Sequence, residues 1–458
     1  MNFIAVDIGS TFIKAAIYDL TYDKVIFTQK FHTPQKLDAA DPRYFEVDAG
    51  EIVAVIQNII EKCMAISMEI AGILFSTQQH GCVLHHPERS RDTYISWQDT
   101  RCLKTDPATG ISYMQELQEL LPPEVMRRTG VPVKPALALC NLYTLFREER
   151  LSKTGDIRLY TLGSYVIEKL TGNHVCHITN AAPMGFVNLQ KKAWDMDILR
   201  RAGLDFLKLP ELIPDIRCCG LCRMPNGTLP VYPDLGDVQT SVYGTGAASG
   251  DTIVNIGTSG QLIMIRDDYE PGDYEIRPYY DDNYCYVISR MPGGRNFDVQ
   301  IDYVREIGEK IFGVSLEREE IWSRIEKDGL FAADPDGLEV DCSFYEVPNR
   351  LADGKILHIT RANFTLANVL TATARDYGRM YRHFSEIIRK GRPFEGTLYF
   401  SGGAVLKNEF LKQEIIRAMA PQKVISAQKD EVYGGMFRLA KRCFLLEDKE
   451  EGIPCNQP

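Results

Sequence analysis

Val6-Asp7-Ile8-Gly9-Ser10-Thr11, entered through the apolar run Phe3-Ile4-Ala5 and left through Phe12-Ile13-Lys14-Ala15-Ala16-Ile17, decides the fold, because the same arrangement returns past the middle of the chain. There Val254-Asn255-Ile256-Gly257-Thr258-Ser259 follows Thr252-Ile253 and leads into Gln261-Leu262-Ile263-Met264-Ile265. Each stretch is a β-rich run that turns at a glycine and hydroxyl residues and continues as a second strand, the pattern of a hairpin. A glycine lets the backbone approach a ligand closely, and consecutive N–H groups with Ser or Thr hydroxyls at a tight turn form a nest for phosphate oxygens. Two such turns facing each other can grip one nucleoside triphosphate.

The two glycines lie a domain's length apart rather than a solenoid repeat's, which points to a duplicated architecture. Asp7 is answered by Asn255, so only the first copy can set a carboxylate beside a phosphate-bound metal. At 458 residues the chain exceeds the size at which single cores stop growing, and two domains are expected, 1–246 and 247–458, with the boundary near Gly244 to Gly250. Lys plus Arg number 52 against 62 Asp plus Glu, and no dense basic run could follow a nucleic-acid backbone, so nucleic acid and acidic membrane are not expected partners. No apolar run approaches the roughly 18 residues that cross a bilayer, and Met1 enters a strand without a basic leader, which predicts a cytoplasmic protein. The 12 cysteines show no regular framework and read as reduced thiols. Cys218, Cys219 and Cys222 cluster without a second ligand pair, favouring structural thiols over a zinc or redox site.

Asp48-x-x-Glu51 is a capping pattern ahead of Ile52, Ile56, Ile59, Ile60 and Cys63, predicting a buried amphipathic helix that returns into a strand Ile70 to Phe75. Strands at Cys82 to His85 and Tyr94 to Trp97 follow, giving an α/β fold with a mixed sheet. Residues 106–134 read as peripheral helix, and 207–233, where prolines and cysteines break any period, as connecting surface structure. Gly236-Asp237-Val238-Gln239 opens a helix, 362–388 forms a long amphipathic one, and the strand Thr397 to Phe400 ends in the loop Ser401-Gly402-Gly403-Ala404.

Asp237, after a glycine at a helix start, can accept the proton of a hydroxyl attacking a γ-phosphate, or simply cap its helix. Phosphoryl transfer needs an aligned acceptor, a metal on the phosphates and backbone donors around the developing charge. Asp7 can hold magnesium directly or through water, or be a local turn aspartate; Asp237 is the second carboxylate available to the metal. Gly9, Ser10 and Thr11, with Gly257, Thr258 and Ser259, supply donors, while Lys14 can equally face solvent. Gln78, Gln79 and His80, with Trp97, Gln98 and Asp99, have the composition of a polyol pocket. Gly402, Gly403 and Ala404 allow a ribose or adenine close to the backbone.

Together these residues resemble the FGGY carbohydrate kinases, most closely the sedoheptulokinase branch. The resemblance runs from residue 3 to about 443 and includes Asp7 to Thr11, Ser76-x-Gln78-x-His80-Gly81, Trp97-Gln98-Asp99-x-Arg101-Cys102, Lys169-Leu170-Thr171-Gly172, Gly236-Asp237-x-Gln239, Gly257-Thr258-Ser259 and Gly402-Gly403-Ala404. It implies two duplicated actin-like, ribonuclease-H-like domains, with ATP in the interdomain cleft and the sugar deeper. It assigns Asp237 as catalytic base, the two hairpin turns to phosphate, 402–404 to adenosine, and Gln79, His80, Trp97 and Asp99 to the sugar. The segment Asn180 to Trp194 resembles the family's stretch beside the sugar domain core. Many members carry Gln directly after the catalytic Asp, whereas here Val238 stands there, as in sedoheptulokinases. Pro292-Gly293-Gly294-Arg295-Asn296 also departs from common forms, leaving Arg295 to phosphate or solvent. The expected activity is ATP- and Mg2+-dependent phosphorylation of sedoheptulose. The alternatives are another ketose or polyol, such as xylulose or ribulose, or a nucleotide-gated interaction protein of the same fold. The sequence leaves the oligomeric state open, a homodimer included.

Overall fold

The computed structural model describes residues 1–67, 69–151, 153, 155–224, 227–332, 334–427 and 431–447, with backbone only from 444. Its contacts divide into two units. One comprises Met1–Gly246, Ile276–Tyr284 and the C-terminal helix Glu431–Glu447; the other comprises Ala247–Glu275 and Cys285–Lys429.

Both hairpins form. Asn2–Ile8 pairs antiparallel with Phe12–Asp19, closing at Ile8 opposite Ile13, and Thr252–Ile256 pairs with Gly260–Arg266, closing at Ile256 opposite Gly260. In the first unit the sheet order is Gly220–Met224, Gly227–Gly236, Ile70–Thr77, Asn2–Ile8, Phe12–Asp19, Lys24–His32. In the second, Lys423–Ser426, Thr397–Ser401, Thr252–Ile256, Gly260–Arg266 and Tyr284–Met291 adjoin in that order. Each hairpin's first strand lies parallel to a later strand, with Asp7 level with Ser76 in one unit and Asn255 level with Ser401 in the other. The duplication therefore extends beyond six residues to the sheet itself, and Asp7 and Asn255 occupy equivalent places. The architecture is a mixed α/β fold with two large sheets.

Alternation along Asn2–Ile8 is lost because both faces of the strand are covered, as expected for a central strand of such a sheet. The helix Ala49–Ile66 packs on it with Ile52, Ile56, Ile59, Ile60 and Cys63 buried, and Asp48 caps it by accepting the Gly50 and Glu51 N–H groups. The first unit also carries a smaller sheet, ordered Glu46–Asp48, Thr93–Ile95, Cys82–His85, Arg158–Tyr160. A second apolar cluster underlies it, and Leu117, Leu121 and Met126 of the supposedly peripheral 106–134 region belong to that cluster.

Residues 207–233 differ from expectation. They contain the strands Glu211–Ile213 and Gly220–Met224 and most of Gly227–Gly236, which runs buried between Gly220–Met224 and Ile70–Thr77. Pro233 is tolerated because the register with Ile70–Thr77 shifts between Val231 and Asp234, where no ladder N–H is required. The strand expected over Tyr94 to Trp97 is Thr93–Ile95, so Trp97 lies in the loop after it. Cys219 and Cys222 are free and buried, which raises both thiol pKa values. Among the described residues no helix is long and apolar enough to cross a membrane.

Candidate active site

The parallel strands of the first unit end together. Ile8 is level with Thr77 and Thr77 with Gly236, so Asp7 and Asp237 sit at neighbouring carboxyl ends, the edge of an open α/β sheet where ligands bind. Two strand spacings, about 10 Å, separate their backbones. Gly236 is the N-cap of the helix Asp237–Thr245, so Asp237 is its first residue and not its cap; its Oδ1 accepts the Val238 N–H at 2.8 Å. Asp237 is half-buried. Burial, reinforced by the charge of Asp7, raises its pKa from an ordinary 3.8 to about 7, against the opposing pull of Arg277. Asp7 is itself buried, which raises its pKa, and Lys14 Nζ opposes this from 3.9 Å. Lys14 thus faces the carboxylate.

The two turns are built differently from a simple nest. The Gly9 N–H donates to Phe12 O at 3.1 Å, and the Gly9 carbonyl accepts from Thr33 Oγ1 at 2.8 Å, which leaves Ser10 and Thr11 exposed at the tip. In the second unit the Gly257 N–H donates to Ser259 O at 3.2 Å. The carbonyls of Gly257 and Thr258 accept the N–H groups of Gly294 and Arg295 at 2.8 and 3.2 Å. The stretch Pro292 to Asn296 therefore buttresses this turn, and a Cβ on Gly293 would lie 2.4 Å from Ser259 Cα. The Arg295 guanidinium lies over the Tyr345 ring, 4.5 Å from its centroid.

Gly402 has φ +88°, and a Cβ there would meet Asn255 Oδ1 at 2.5 Å; only glycine fits against the hairpin strand. At Gly403, the first residue of the helix Gly403–Lys407, a Cβ would meet nothing within 4 Å. A Cβ on Gly294 would reach Ala404 at 3.4 Å, so the three glycine-bearing loops of this unit converge. Beyond that helix lies a cavity of about 300 Å³ lined by Phe331, Phe410, Glu326, Lys407, Asn408 and Glu409. The Phe331 and Phe410 rings stack at 3.9 Å and 11°.

The sugar-pocket candidates separate. His80 holds a left-handed φ of +69° with Nδ1 3.0 Å from Pro183 O, a conformation that a bulky residue adopts only where its surroundings impose it. Trp97 is 42% exposed, available as an apolar plate. Gln79 is buried: its Nε2 donates to Thr179 O at 2.7 Å and Gln239 Oε1 at 2.8 Å, and its Oε1 accepts from Arg277 Nη1 at 3.2 Å. Asp99 is fully buried. It accepts from Arg101 Nε at 2.8 Å, Arg101 Nη2 at 2.6 Å and the Phe45 N–H at 2.7 Å, so its carboxylate fixes a loop instead of meeting a sugar.

Sequence reasoning missed two groups. Asp234, fully buried on the strand leading to Asp237, accepts from the His177 N–H at 2.8 Å and Asn180 Nδ2 at 2.9 Å, tying the 180s segment to the site. Arg277, from beyond the chain's midpoint, opposes the raised proton affinity of the base by its charge, and no local pattern marks it.

Residues 2–244 match the N-terminal domain of the FGGY family of carbohydrate kinases. The chain belongs to the FGGY family and is a carbohydrate kinase. It is 23% identical to the sedoheptulokinase of Mus musculus over 96% of this chain and 97% of that protein. Its fold matches the crystal structure of gluconate kinase from Lactobacillus acidophilus, with TM-score 0.79 and 18% identity, covering 97% of this chain and 90% of that one. It matches Plasmodium falciparum glycerol kinase with ADP equally well, with TM-score 0.79 and 15% identity over 98% and 90% of the two chains. Two actin-like domains are the fold these structures share with the chain.

Proposed function

We propose that this kinase transfers the γ-phosphoryl group of ATP to a hydroxyl of sedoheptulose, with Asp237 as general base. The observation that carries the chemistry is the setting of Asp237: a half-buried carboxylate at a strand's carboxyl end, with a pKa of about 7. A base poised there accepts a proton near neutral pH, the condition under which general-base catalysis is most effective. The acceptor O–H gives its proton to Asp237, its oxygen bonds to the γ-phosphorus, and the bond from that phosphorus to the β-phosphate bridging oxygen breaks to leave ADP.

Asp7 and Asp237 would hold a magnesium ion, because a dication relieves the cost that burial and the charge of Asp7 place on the Asp237 carboxylate. Among the described residues no third acidic, His or Cys ligand joins them, in keeping with an ion that takes its remaining ligands from water and phosphate. When bound, magnesium neutralises charge on the phosphates. Ser10, Thr11, Thr258 and Ser259 would face those phosphates. Gly403, open to solvent, would pass the ribose, and the Phe331–Phe410 cavity offers the base an aromatic wall. Trp97 and His80 would face the sugar. Use of ATP is in keeping with a cytoplasmic site of action.

Sedoheptulose rests on the near full-length likeness to the mouse enzyme and on Val238 after the base. A coupled ADP-release assay over sedoheptulose, xylulose, ribulose, fructose and glycerol tests it. Sedoheptulose should give the highest kcat/KM; a higher ratio for xylulose or ribulose would reassign the acceptor and leave the kinase chemistry standing.

A further inference from the structure

The duplicated turns differ in charge. In the first hairpin Asp7 stands opposite Lys14 across the ladder, with Nζ 3.9 Å from the carboxylate, so the cation beside that turn has its counter-ion. In the second hairpin the matching pair is Asn255 opposite Gln261, neutral on both sides. The second unit brings a cation to its turn from another element. Arg295 is the second residue of the helix Gly294–Phe312, and its backbone N–H donates to Thr258 O at 3.2 Å, next to Ser259.

Unlike Lys14, Arg295 pairs with no carboxylate among the described residues. It is half-buried, its guanidinium lies 4.5 Å from the centroid of the Tyr345 ring, and its Nε is buried with no hydrogen-bond partner among the described residues. A guanidinium is planar and permanently charged, with N–H donors around its edge and no acceptor, so stacking on a ring occupies its face and leaves the edge for a ligand. Taking a cation partly out of water costs free energy that an anion at its edge offsets. The same few residues border the loop at Gly402: a Cβ on Gly294 would reach that of Ala404 at 3.4 Å, and a Cβ on Gly293 would lie 2.4 Å from Ser259 Cα. Arg295 therefore starts where two glycine-bearing loops of this unit meet.

We propose that Arg295, held flat by Tyr345, binds non-bridging oxygens of the nucleotide's polyphosphate. The inference rests on the ATP-dependent kinase reading and adds to it the residue of the second turn that carries the phosphates' counter-charge. The two turns thereby divide the work: the first offers a carboxylate, Asp7, suited to a cation, and the second, which has lost both members of that ion pair, offers a cation suited to an anion. A guanidinium meets phosphate oxygens through two parallel N–H donors, and such charge-assisted bonds are the strong ones. Tyr345 is a positioning residue, because its ring acts on the phosphates only through Arg295.

The test titrates ADP and adenosine against wild type, Arg295→Met, Arg295→Lys and Tyr345→Leu without magnesium, so that no metal takes over the phosphates. Arg295→Met keeps the stem and removes the charge; Kd for ADP should rise by about tenfold or more, the worth of a hydrogen bond to a charged group, while Kd for adenosine stays within about twofold. Added salt should weaken ADP binding more in wild type than in that variant. Arg295→Lys, which keeps the charge without the fork and is the variant to use should the methionine protein not fold, should fall between. Tyr345→Leu should weaken ADP binding on its own and add nothing to Arg295→Met. Unchanged ADP affinity in the folded Arg295 variants, or equal losses for ADP and adenosine, would overturn the inference alone. A wild type that binds ADP in this way yet forms no sugar phosphate would overturn the kinase reading and leave the phosphate contact standing.

Discussion

Asp7 and Asp237, at the carboxyl ends of two strands that flank Ile70–Thr77 and run parallel to it, interact so that the charge of the first raises the proton affinity of the second. Burial of Asp237, reinforced by that charge, raises its pKa to about 7, the range of an imidazole.

Replacing Asp237 by Asn keeps shape and removes proton acceptance. Turnover should fall by at least ~10²-fold while ADP affinity, measured by calorimetry, stays within about twofold. Retention of more than about a tenth of wild-type kcat would remove Asp237 from the chemistry.

The same substitution should stabilise the protein in alkaline solution. Because the folded-state pKa lies above the ordinary 3.8, the folded form binds the proton more tightly, and the stability this gives is present at low pH and lost as pH rises to about 7. Asp237→Asn should therefore raise Tm more at about pH 8 than at about pH 5. An equal shift at both would mean that the carboxyl is not perturbed.

In kinetics, kcat/KM for the acceptor should climb with pH and level off above about 7, the value for Asp237 without a cation. Raising magnesium should move the limb to lower pH, since a nearby cation favours the carboxylate. Asp7→Asn should increase the magnesium concentration giving half-maximal rate; an unchanged titration would exclude Asp7 from the metal site.

Much of this was legible in sequence because it is local. Period-two runs around Gly9 and Gly257 give the hairpins, and Asp48 with its apolar repeat gives the first helix. What escaped depends on distant partners. Prolines at 230 and 233 disguise the buried strand Gly227–Gly236, since only the register with Ile70–Thr77 reveals that Pro233 sits at an irregularity. Asp99 looks like a sugar ligand until Arg101, two residues on, is seen folded back onto it. Arg277 carries no motif, and only the packing of Ile276–Tyr284 with the first unit brings its charge to bear on Asp237.

Gly402 and Gly403 should respond oppositely to a side chain. Gly402→Ala meets Asn255 and a left-handed backbone, and should lower Tm and soluble yield. Gly403→Val has open space and should fold, raising KM for ATP more than KM for sugar. Poor folding of the Gly403 variant, with ATP affinity intact in what remains, would limit that glycine to a structural role.

The central claim is phosphoryl transfer from ATP to a sugar hydroxyl with Asp237 as base. Phosphorus NMR of wild type and Asp237→Asn, each with ATP, magnesium and sedoheptulose, follows the γ-phosphate itself. Wild type should build a sugar phosphate ester in step with ADP, and the variant should show almost none while still binding ADP. Inorganic phosphate in place of an ester, or ester formed equally fast by both proteins, would contradict the account.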